Sequence, residues 1–486
     1  MKYYKLFIGG KWINSVSGET FKSLDPSTGK PIAGFQKGNE QDIERAVKAA
    51  EKALPSWSSI PAPKRGEILF KIANLLKKNK EALARLLTQE MGKVLKEAEG
   101  DVQEAVDVFE YMAAEGRRLF GNTTPSELKD KFCMTVRKPL GIVGLITPWN
   151  FPIAIPAWKL APALICGNTV VLKPSSDTPL CAIRLIELLV EAGIPSGVVN
   201  LVTGPGDPTG TALVKHPRVR GISFTGSRDV GKFVAENAGL KKVGLELGGK
   251  NPIIIMDDAD LDLALDGVLW GGFGTTGQRC TAASRVIVHK KVKKKFEKML
   301  LKRVKRLRLG NGLKKTTDVG PLINKRAVEK VHSYTKIGKE EGAKLLCGGS
   351  IPKIHGFFYE PTIFTNVKSN MRIAQEEIFG PTVSIIAINN LDEAINVANN
   401  VSYGLSSAIY TSDIRNAFLA VEKIEAGLTY VNSSTIGSEV HLPFGGVKDT
   451  GNGTREAGIE GIHEFSETKI IYIDYSGKLQ KAQGIE

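Results

Sequence analysis

The sequence predicts an α/β protein with two large lobes, and three observations support this fold class. The chain has 486 residues, which exceeds the length that one hydrophobic core usually supports. Short apolar runs alternate with amphipathic segments over much of it, as in parallel sheets covered by helices. Hydrophobic residues make up 42% and charged residues 24%, which is typical of a globular protein.

The elements follow in order along the chain. Helices are predicted over 40–54 and 64–120, where apolar residues recur three and four positions apart. The stretch MTVRKPLGIVGLITPWN then changes to short apolar runs broken by glycine and proline, which indicate buried strands. Strands at NTVVLKPS, VVNLVTG, VRGISFTGS and KVGLELGG alternate with predicted helices over 177–193, 207–215 and 228–239. A second alternating region begins at NPIIIMDD and extends to about residue 448.

Several classes of protein are disfavoured by composition. Residues 139–172 carry only Lys159 as a charge, but four prolines interrupt them, so strands and turns are expected rather than a membrane span. The N-terminal MKYYKLFIGGKW lacks the apolar core of a signal peptide. The five cysteines are scattered and form no CxxC, so we expect no disulfide framework, no metal site and a cytoplasmic location.

The net charge of +15 is partly concentrated in residues 289–310. Phe296, Leu300, Val304 and Leu307 recur there at helical spacing, which predicts a basic amphipathic helix over a buried stripe. A nucleic-acid surface or the attraction of anionic substrates are the alternatives. Because we find no nucleic-acid-binding motif, we expect neither a nucleic-acid nor a membrane partner.

A glycine turn offers a phosphate site. In VRGISFTGSRDVGKFVAENAG an apolar strand leads into Gly226 and Ser227 and then into a helix with Gly231 in its first turn. Free N–H groups at such a helix start suit a pyrophosphate, although the pattern is not GxGxxG and an ordinary glycine turn remains possible. TGPGDPTG, with Gly206 and Gly210, competes as a second loop, but its prolines remove backbone donors.

Three side chains between strands could carry chemistry. Glu246 is a carboxylate in an apolar strand, where burial would raise its pKa and make it a general base, or where it accepts a structural hydrogen bond. Asn150 could donate to an oxyanion or simply occupy a turn. Lys173 follows a strand, where it could meet a ribose or phosphate or remain solvated.

Cys280 lies in GTTGQRCTAAS, among small residues that leave room for an acyl adduct. Arg279 would lower the pKa of this thiol if it faces the sulfur, whereas an isolated cysteine is usually an inert small hydrophobe. With Glu246 and Asn150, Cys280 completes a set of nucleophile, base and oxyanion donor.

The motifs PWNFP, KPS, FTGS, LELGGKNP, GQRC, QEEIFGP and PFGG occur in one order. By these motifs the chain resembles the aldehyde dehydrogenase superfamily over nearly its whole length. The resemblance implies a modified Rossmann cofactor-binding domain, an α/β catalytic domain and a small β oligomerisation arm, in a homo-oligomer that is a dimer or tetramer. The implied boundaries are 1–116 with 140–247 for the cofactor domain, 248–448 for the catalytic domain, and 117–139 with 464–480 for the arm.

The resemblance also implies roles for single residues. Cys280 is the expected nucleophile, Glu246 the base, and Asn150 with the Cys280 N–H the oxyanion hole, while Lys159 and Glu456 match a proton-relaying pair. The expected cofactor contacts are Ile146, Thr147, Pro148, Trp149, Lys173, Ser175, Ser176, Gly206, Gly210, Phe224, Thr225, Gly226, Ser227, Leu247, Gly248, Glu377 and Phe379. The expected substrate contacts are Arg279, Phe151, Trp158 and Phe444.

The cofactor and the substrate follow from finer features. Family members that favour NAD often have glutamate where this chain has Ser176, so we predict NADP as the preferred cofactor, with NAD also used. Arg279 and the basic charge suit an aldehyde with a distant carboxylate. Residues 432–458 are similar to enzymes that oxidise 2-oxoglutarate semialdehyde; succinate semialdehyde and broad aliphatic aldehydes are alternatives. An acylating enzyme that uses coenzyme A needs no water-activating carboxylate, so Glu246 disfavours it.

Overall fold

The computed structural model describes residues 1–484. Its helices are α1 (Glu40–Ser59), α2 (Ala62–Lys78), α3 (Lys80–Met91), α4 (Leu95–Glu115), α5 (Ala154–Ile165), α6 (Pro179–Glu191), α7 (Thr211–Lys215), α8 (Arg228–Asn237), α9 (Leu261–Phe273), α10 (Lys290–Val304), α11 (Lys325–Glu340), α12 (Arg372–Gln375), α13 (Leu391–Asn399), α14 (Ile414–Lys423) and α15 (Gly458–Glu464). Its strands are β1 (Tyr3–Tyr4), β2 (Leu6–Ile8), β3 (Lys11–Ile13), β4 (Thr20–Asp25), β5 (Lys30–Gln36), β6 (Thr123–Pro125), β7 (Lys131–Pro139), β8 (Ile142–Ile146), β9 (Thr169–Lys173), β10 (Val199–Leu201), β11 (Gly221–Thr225), β12 (Lys242–Glu246), β13 (Asn251–Ile255), β14 (Ala283–His289), β15 (Lys344–Cys347), β16 (Thr362–Thr365), β17 (Thr382–Ile388), β18 (Tyr403–Gly404), β19 (Ser406–Tyr410), β20 (Leu428–Val431), β21 (Val447–Lys448) and β22 (Ser466–Asp474).

Two seven-stranded sheets confirm the predicted α/β class. The first has the order β12-β11-β8-β9-β10-β2-β3, parallel from β12 to β10 and completed by the antiparallel strands β2 and β3. The second has the order β15-β16-β17-β14-β13-β19-β20 and is parallel except at β15. Its strands are buried on both faces, which explains their continuous apolar sequences.

A third, antiparallel sheet has the order β22-β7-β6 and joins the C-terminal segment to the stretch before β8. Its long pairing extends from Ser466 opposite Pro139 to Asp474 opposite Lys131. The side chains of Ile470 and Tyr472 are 58% and 64% exposed, so this sheet carries uncovered apolar surface.

Some predicted helices have different bounds. The predicted helix over 64–120 is three helices: Asn79 separates α2 from α3, and Gly92, with a left-handed φ of +98°, ends α3 before α4. A Cβ there would lie 2.7 Å from the Pro321 ring, so the chain must turn at a glycine. The helix predicted over 207–215 begins only at Thr211, since Asp207 is extended.

The basic helix is confirmed as α10, with Phe296, Leu300 and Val304 buried beneath its lysines, while Leu307 lies beyond its end. The apolar region 139–172 forms β8, α5 and β9. Within residues 1–484, no helix combines the length and apolar character needed to cross a bilayer.

The register of the first sheet determines where its loops meet. Ile146 of β8 pairs with Phe224 of β11, and Thr225 pairs with Glu246 of β12. Because these strands are parallel and adjacent, the segments that follow them lie at one edge of the sheet.

Candidate active site

Two adjoining cavities meet at Cys280, where the loops of the first sheet face the segment before β14. The smaller has a volume of about 150 Å³ and contains Glu246, Glu456 and a group of aromatic side chains. The larger, of about 240 Å³, extends over Asn150 to the start of α8. The structure therefore brings Cys280, Glu246 and Asn150, which are far apart in sequence, around one space.

The loop before Cys280 has an unusual backbone. Thr275 and Thr276 both have left-handed φ angles, +50° and +58°, which are rare for β-branched residues. Hydrogen bonds maintain this conformation: Thr275 N donates to a carboxylate oxygen of Glu97 at 2.8 Å, and Thr276 Oγ1 donates to Gly320 O at 3.0 Å. The small residues of this loop thus allow a turn that presents the thiol to the cavities.

Gln278 attaches the oxyanion donor to the same loop. Its side-chain oxygen accepts from Ile323 N at 2.9 Å, and its carbonyl oxygen accepts from Asn150 Nδ2 at 3.1 Å. Asn150 is 4% exposed, and its amide has a second N–H that this bond does not use. The amide is therefore positioned beside the nucleophile by the loop that carries it.

Burial raises the pKa of the Cys280 thiol to about 12, and the nearby carboxylates Glu246 and Glu377 contribute to the rise. The condition under which Arg279 would lower this pKa, that it faces the sulfur, is not met. The Arg279 guanidinium instead faces Glu97 at 3.5 Å and lies over the Trp270 ring, 4.6 Å from its centroid. Because the guanidinium charge faces Glu97, Arg279 does not lower the pKa of the Cys280 thiol.

Glu246 ends β12 and is 3% exposed. Its two carboxylate oxygens accept no hydrogen bond from any residue in the described part of the chain, so the alternative of a structural hydrogen bond does not apply. Burial, together with the charge of Glu456, raises the pKa of Glu246 well above its usual value. A buried carboxyl with both oxygens free is suited to accept and release protons.

Lys159 and Glu456 lie beside Glu246 as a buried ion pair. Lys159 also donates to Ser223 Oγ at 2.7 Å. Glu464 of α15 is a third carboxyl in this cluster, and burial with the charge of Glu456 raises its pKa to about 7. Sequence reasoning missed Glu464, because nothing in EGIHEFSETK distinguishes it from the exposed acids around it.

The larger cavity contains most of the predicted cofactor contacts. Those that line it are Pro148, Trp149, Thr225, Gly226, Ser227, Leu247, Gly248, Glu377 and Phe379. Phe379 meets Trp149 edge to face, with ring centroids 5.4 Å apart, and Glu377 accepts from Gly249 N at 3.0 Å. Ile146, Thr147 and Phe224 do not line it; a Cβ at Gly226 would lie 2.5 Å from the Phe224 ring, so Phe224 packs beneath the turn.

This cavity fits a dinucleotide. Ser227 precedes α8 in extended conformation, so the first N–H groups of that helix are available to a pyrophosphate. The buried hydroxyl of Thr225 has no partner among the described residues, and a Cβ at Gly248 would collide with Glu377. The site therefore combines a polar, side-chain-free cradle with an aromatic wall.

The remaining predicted cofactor residues form a second group around Lys173. Lys173 is 4% exposed, donates to Pro174 O at 2.9 Å, and has its pKa lowered by burial to about 8. Ser176 Oγ donates to Gly204 O at 2.8 Å, and Ser175 Oγ accepts from Asp177 N. The second glycine loop therefore lies beside Lys173: a Cβ at Gly210 would be 3.5 Å from its side chain, while Gly206 is exposed.

The smaller cavity contains all four predicted substrate contacts: Arg279, Phe151, Trp158 and Phe444. Trp158 and Phe444 meet edge to face with centroids 5.2 Å apart. Glu104 of α4 also lines this cavity, and sequence reasoning missed it. Its spacing from Asp101 and Glu97, three and seven residues, was the available signal for a shared acidic helix face.

Across residues 1–484, no cluster of three or more His, Cys, Asp or Glu side chains could hold a metal ion. All five cysteines are free thiols.

The class of protein follows from three features: the two sheets, the cavities at their junction and the order of the motifs. Residues 12–471 match the model of the aldehyde dehydrogenase family, and the chain belongs to this family. An alpha-ketoglutaric semialdehyde dehydrogenase of Bacillus subtilis is 42% identical over 477 residues, covering 97% of this chain and 98% of that protein. A 2,5-dioxopentanoate dehydrogenase of Saccharolobus solfataricus is 42% identical over 478 residues, covering 97% and 99%.

Solved structures agree with the fold. A crystal structure of betaine aldehyde dehydrogenase from Staphylococcus aureus in complex with NAD+ superimposes with a TM-score of 0.96 at 39% identity. The match covers 99% of this chain and 97% of the other. The predicted aldehyde dehydrogenase-like fold is thereby confirmed.

Proposed function

We propose that this protein oxidises an aldehyde that carries a distant carboxylate, 2-oxoglutarate semialdehyde in the first place, to the dicarboxylic acid, with NAD(P) as acceptor. The observation that carries the proposal is the position of Cys280 where an aromatic cavity meets a dinucleotide-shaped one. The names of two relatives at 42% identity favour this semialdehyde.

In the first half-reaction the Cys280 thiol gives its proton to solvent water, and the sulfur adds to the aldehyde carbon. Asn150 Nδ2 and the Cys280 N–H then donate to the oxygen as it becomes negative. NAD(P) would be held by residues of the larger cavity, among them Ser227, Glu377 and Phe379, and would supply the hydride acceptor. Loss of a hydride from the carbon of the adduct to that acceptor leaves the acyl group on Cys280 as a thioester.

In the second half-reaction Glu246 removes a proton from water, whose oxygen attacks the thioester and releases the acid. Because Glu246 is buried, its proton must leave through neighbouring groups. Lys159 and Glu456 are the nearest charged pair and are proposed to pass it on.

Replacing Asn150 by alanine should lower kcat by about 10²–10³, the usual cost of losing one oxyanion donor. The measurement is steady-state kcat for Asn150→Ala, and the control is Asn452→Ala. Asn452 is an exposed loop asparagine that forms hydrogen bonds with Val243 O and Thr454. A decrease of less than threefold for Asn150→Ala would show that its amide does not stabilise the oxyanion.

NADP is proposed as the preferred form, with NAD also used. The family resemblance assigns the adenosine ribose to Ser176 and Lys173, and serine neither repels nor crowds a 2′-phosphate. The ammonium of Lys173 would attract such a phosphate.

Replacing Ser176 by glutamate should lower kcat/KM with NADP by about tenfold or more, because a carboxylate repels a 2′-phosphate at short range. Ser176→Gln is the matched control, since it has the same size without the charge. If the ratio of kcat/KM with NADP to kcat/KM with NAD were the same in the Ser176→Glu variant as in the wild type, Ser176 would not determine the cofactor preference.

The substrate is tested with an aldehyde panel assayed with both nucleotides. The proposal expects the highest kcat/KM for 2-oxoglutarate semialdehyde, a lower one for succinate semialdehyde, and the lowest for pentanal. The product should be the free acid whether or not coenzyme A is present. Equal efficiency for charged and uncharged aldehydes would instead indicate a broad aliphatic enzyme.

We also propose the domain roles that the family implies. Residues 1–116 with 140–247 would bind the cofactor, 248–448 would carry the nucleophile, and the arm, 117–139 with 464–480, would join copies of the chain into a dimer or tetramer. The exposed Ile470 and Tyr472 of β22 support the arm's role, because association would cover them.

A further inference from the structure

One face of α4 carries three acidic side chains, of which Glu104 lines the substrate cavity. Glu97, Asp101 and Glu104 are spaced by four and three residues, which places them on the same side of the helix. Glu97 accepts from Thr275 N and pairs with Arg279, and Asp101 accepts from Ala154 N at 2.7 Å. These two acids are therefore used to hold the nucleophile loop and the start of α5.

The charged side chains next to the cavity form ion pairs that do not include Glu104. Lys93 forms a buried ion pair with Asp101 at 2.9 Å, and Arg279 forms one with Glu97. Lys93 also lies over the Phe151 ring, 3.6 Å from its centroid, so this cluster forms the rear wall of the cavity. Two cations and two anions are thus already matched.

Glu104 is the acidic side chain on this face of α4 that has no ionic partner among the described residues. It is half-buried, lines the cavity with Cys280, and has no hydrogen bond or ion pair with any residue of the described chain. Most of the neighbouring cavity wall is apolar, including Phe151, Trp158 and Phe444. A polar group directed into such a space is satisfied only by what enters it.

We propose that Glu104, as the neutral acid, donates a hydrogen bond to the carboxylate of the bound aldehyde and so determines the enzyme's specificity for acidic aldehydes. This inference rests on the proposed semialdehyde function and adds a residue that recognises the substrate end remote from the reacting carbon. Arg279 lines the same cavity but is paired with Glu97, so Glu104 is the group left to bind the substrate carboxylate.

The electrostatic surroundings keep Glu104 neutral. Burial raises the pKa of Glu104 to about 7, and the negative charges of Asp101 and Asp107 add to the rise. Lys93 and Arg279 oppose it. Below its pKa of about 7, Glu104 is protonated and can donate the hydrogen bond. As the pH rises through that value, Glu104 loses its proton, and the resulting carboxylate repels the carboxylate of the substrate.

The test is the ratio of KM for 2-oxoglutarate semialdehyde to KM for pentanal, measured from pH 6 to 9. Pentanal has the same number of carbons and no charge, so the ratio cancels titrations that affect both aldehydes. In the wild type the ratio should rise by up to about tenfold per pH unit above the pKa of Glu104. In Glu104→Gln, which keeps a neutral N–H donor, the KM ratio should be low at every pH. In Glu104→Leu, which has no donor, the ratio should be high at every pH.

Glu110→Gln is the matched control, because it removes the same charge from the same helix at a site that faces Lys77 rather than the cavity. In Glu110→Gln the KM ratio should rise with pH as steeply as in the wild type. A slope in Glu104→Gln equal to that of the wild type would overturn the inference while leaving the semialdehyde assignment intact. No preference for the charged aldehyde in the wild type even at pH 6 would overturn both.

Discussion

Replacing Cys280 by alanine should abolish aldehyde oxidation and leave dinucleotide binding intact. Among the described residues Cys280 is the only cysteine that lines either cavity, so its replacement removes the thiol that forms the covalent adduct. The measurements are nucleotide reduction with saturating aldehyde and nucleotide affinity by fluorescence titration.

The control for this variant is Cys347→Ala. Cys347 is a half-buried thiol on β15, at the edge of the second sheet, and donates only weakly to Pro361 O. It should keep wild-type turnover. Turnover that persists in Cys280→Ala, with the control unchanged, would refute the assignment of the nucleophile.

Replacing Glu246 by glutamine should lower kcat by about 10²–10⁴, the usual contribution of a general base. Glutamine keeps the shape but cannot accept the proton of the attacking water, so the thioester should accumulate. Rapid mixing should therefore show at most one nucleotide reduced per active site, followed by a slow steady state. Glu236→Gln, an exposed change on α8, should show no such arrest.

The pH dependence follows from the environment of Glu246. Its pKa is raised well above the usual value, mainly by burial and then by Glu456, so the carboxylate form is lost as the pH falls through this raised pKa. In the wild type kcat should decline on that acidic side. Glu246→Gln should lack the decline, and an unchanged profile would indicate that another group titrates.

Much of this arrangement could be predicted from sequence because it depends on local signals. Continuous apolar strands such as β9 and β13 are recognisable by their composition, and the loops that follow β8, β11 and β12 contain the small and polar residues that a binding edge requires. Because adjacent parallel strands end at one edge of the sheet, the segments that carry Asn150, Ser227 and Glu246 lie at that edge.

What the sequence could not provide was the direction of single side chains. Arg279 adjoins Cys280 in the chain, yet its guanidinium is turned toward Glu97, which belongs to a distant helix. Glu104 and Glu464 appear as ordinary surface acids in their helices until the packing of other elements buries them. Burial of a charge by residues that are remote in sequence leaves no local pattern.

The most direct test of the shared site at Cys280 is to locate the acyl group. Glu246→Gln enzyme is incubated with 2-oxoglutarate semialdehyde and NADP, quenched in acid, and examined by intact-protein and peptide mass spectrometry. We predict one added acyl group per chain, on the peptide that contains Cys280. An unmodified Cys280 after the nucleotide has been reduced, or an acyl group on another cysteine, would contradict the mechanism.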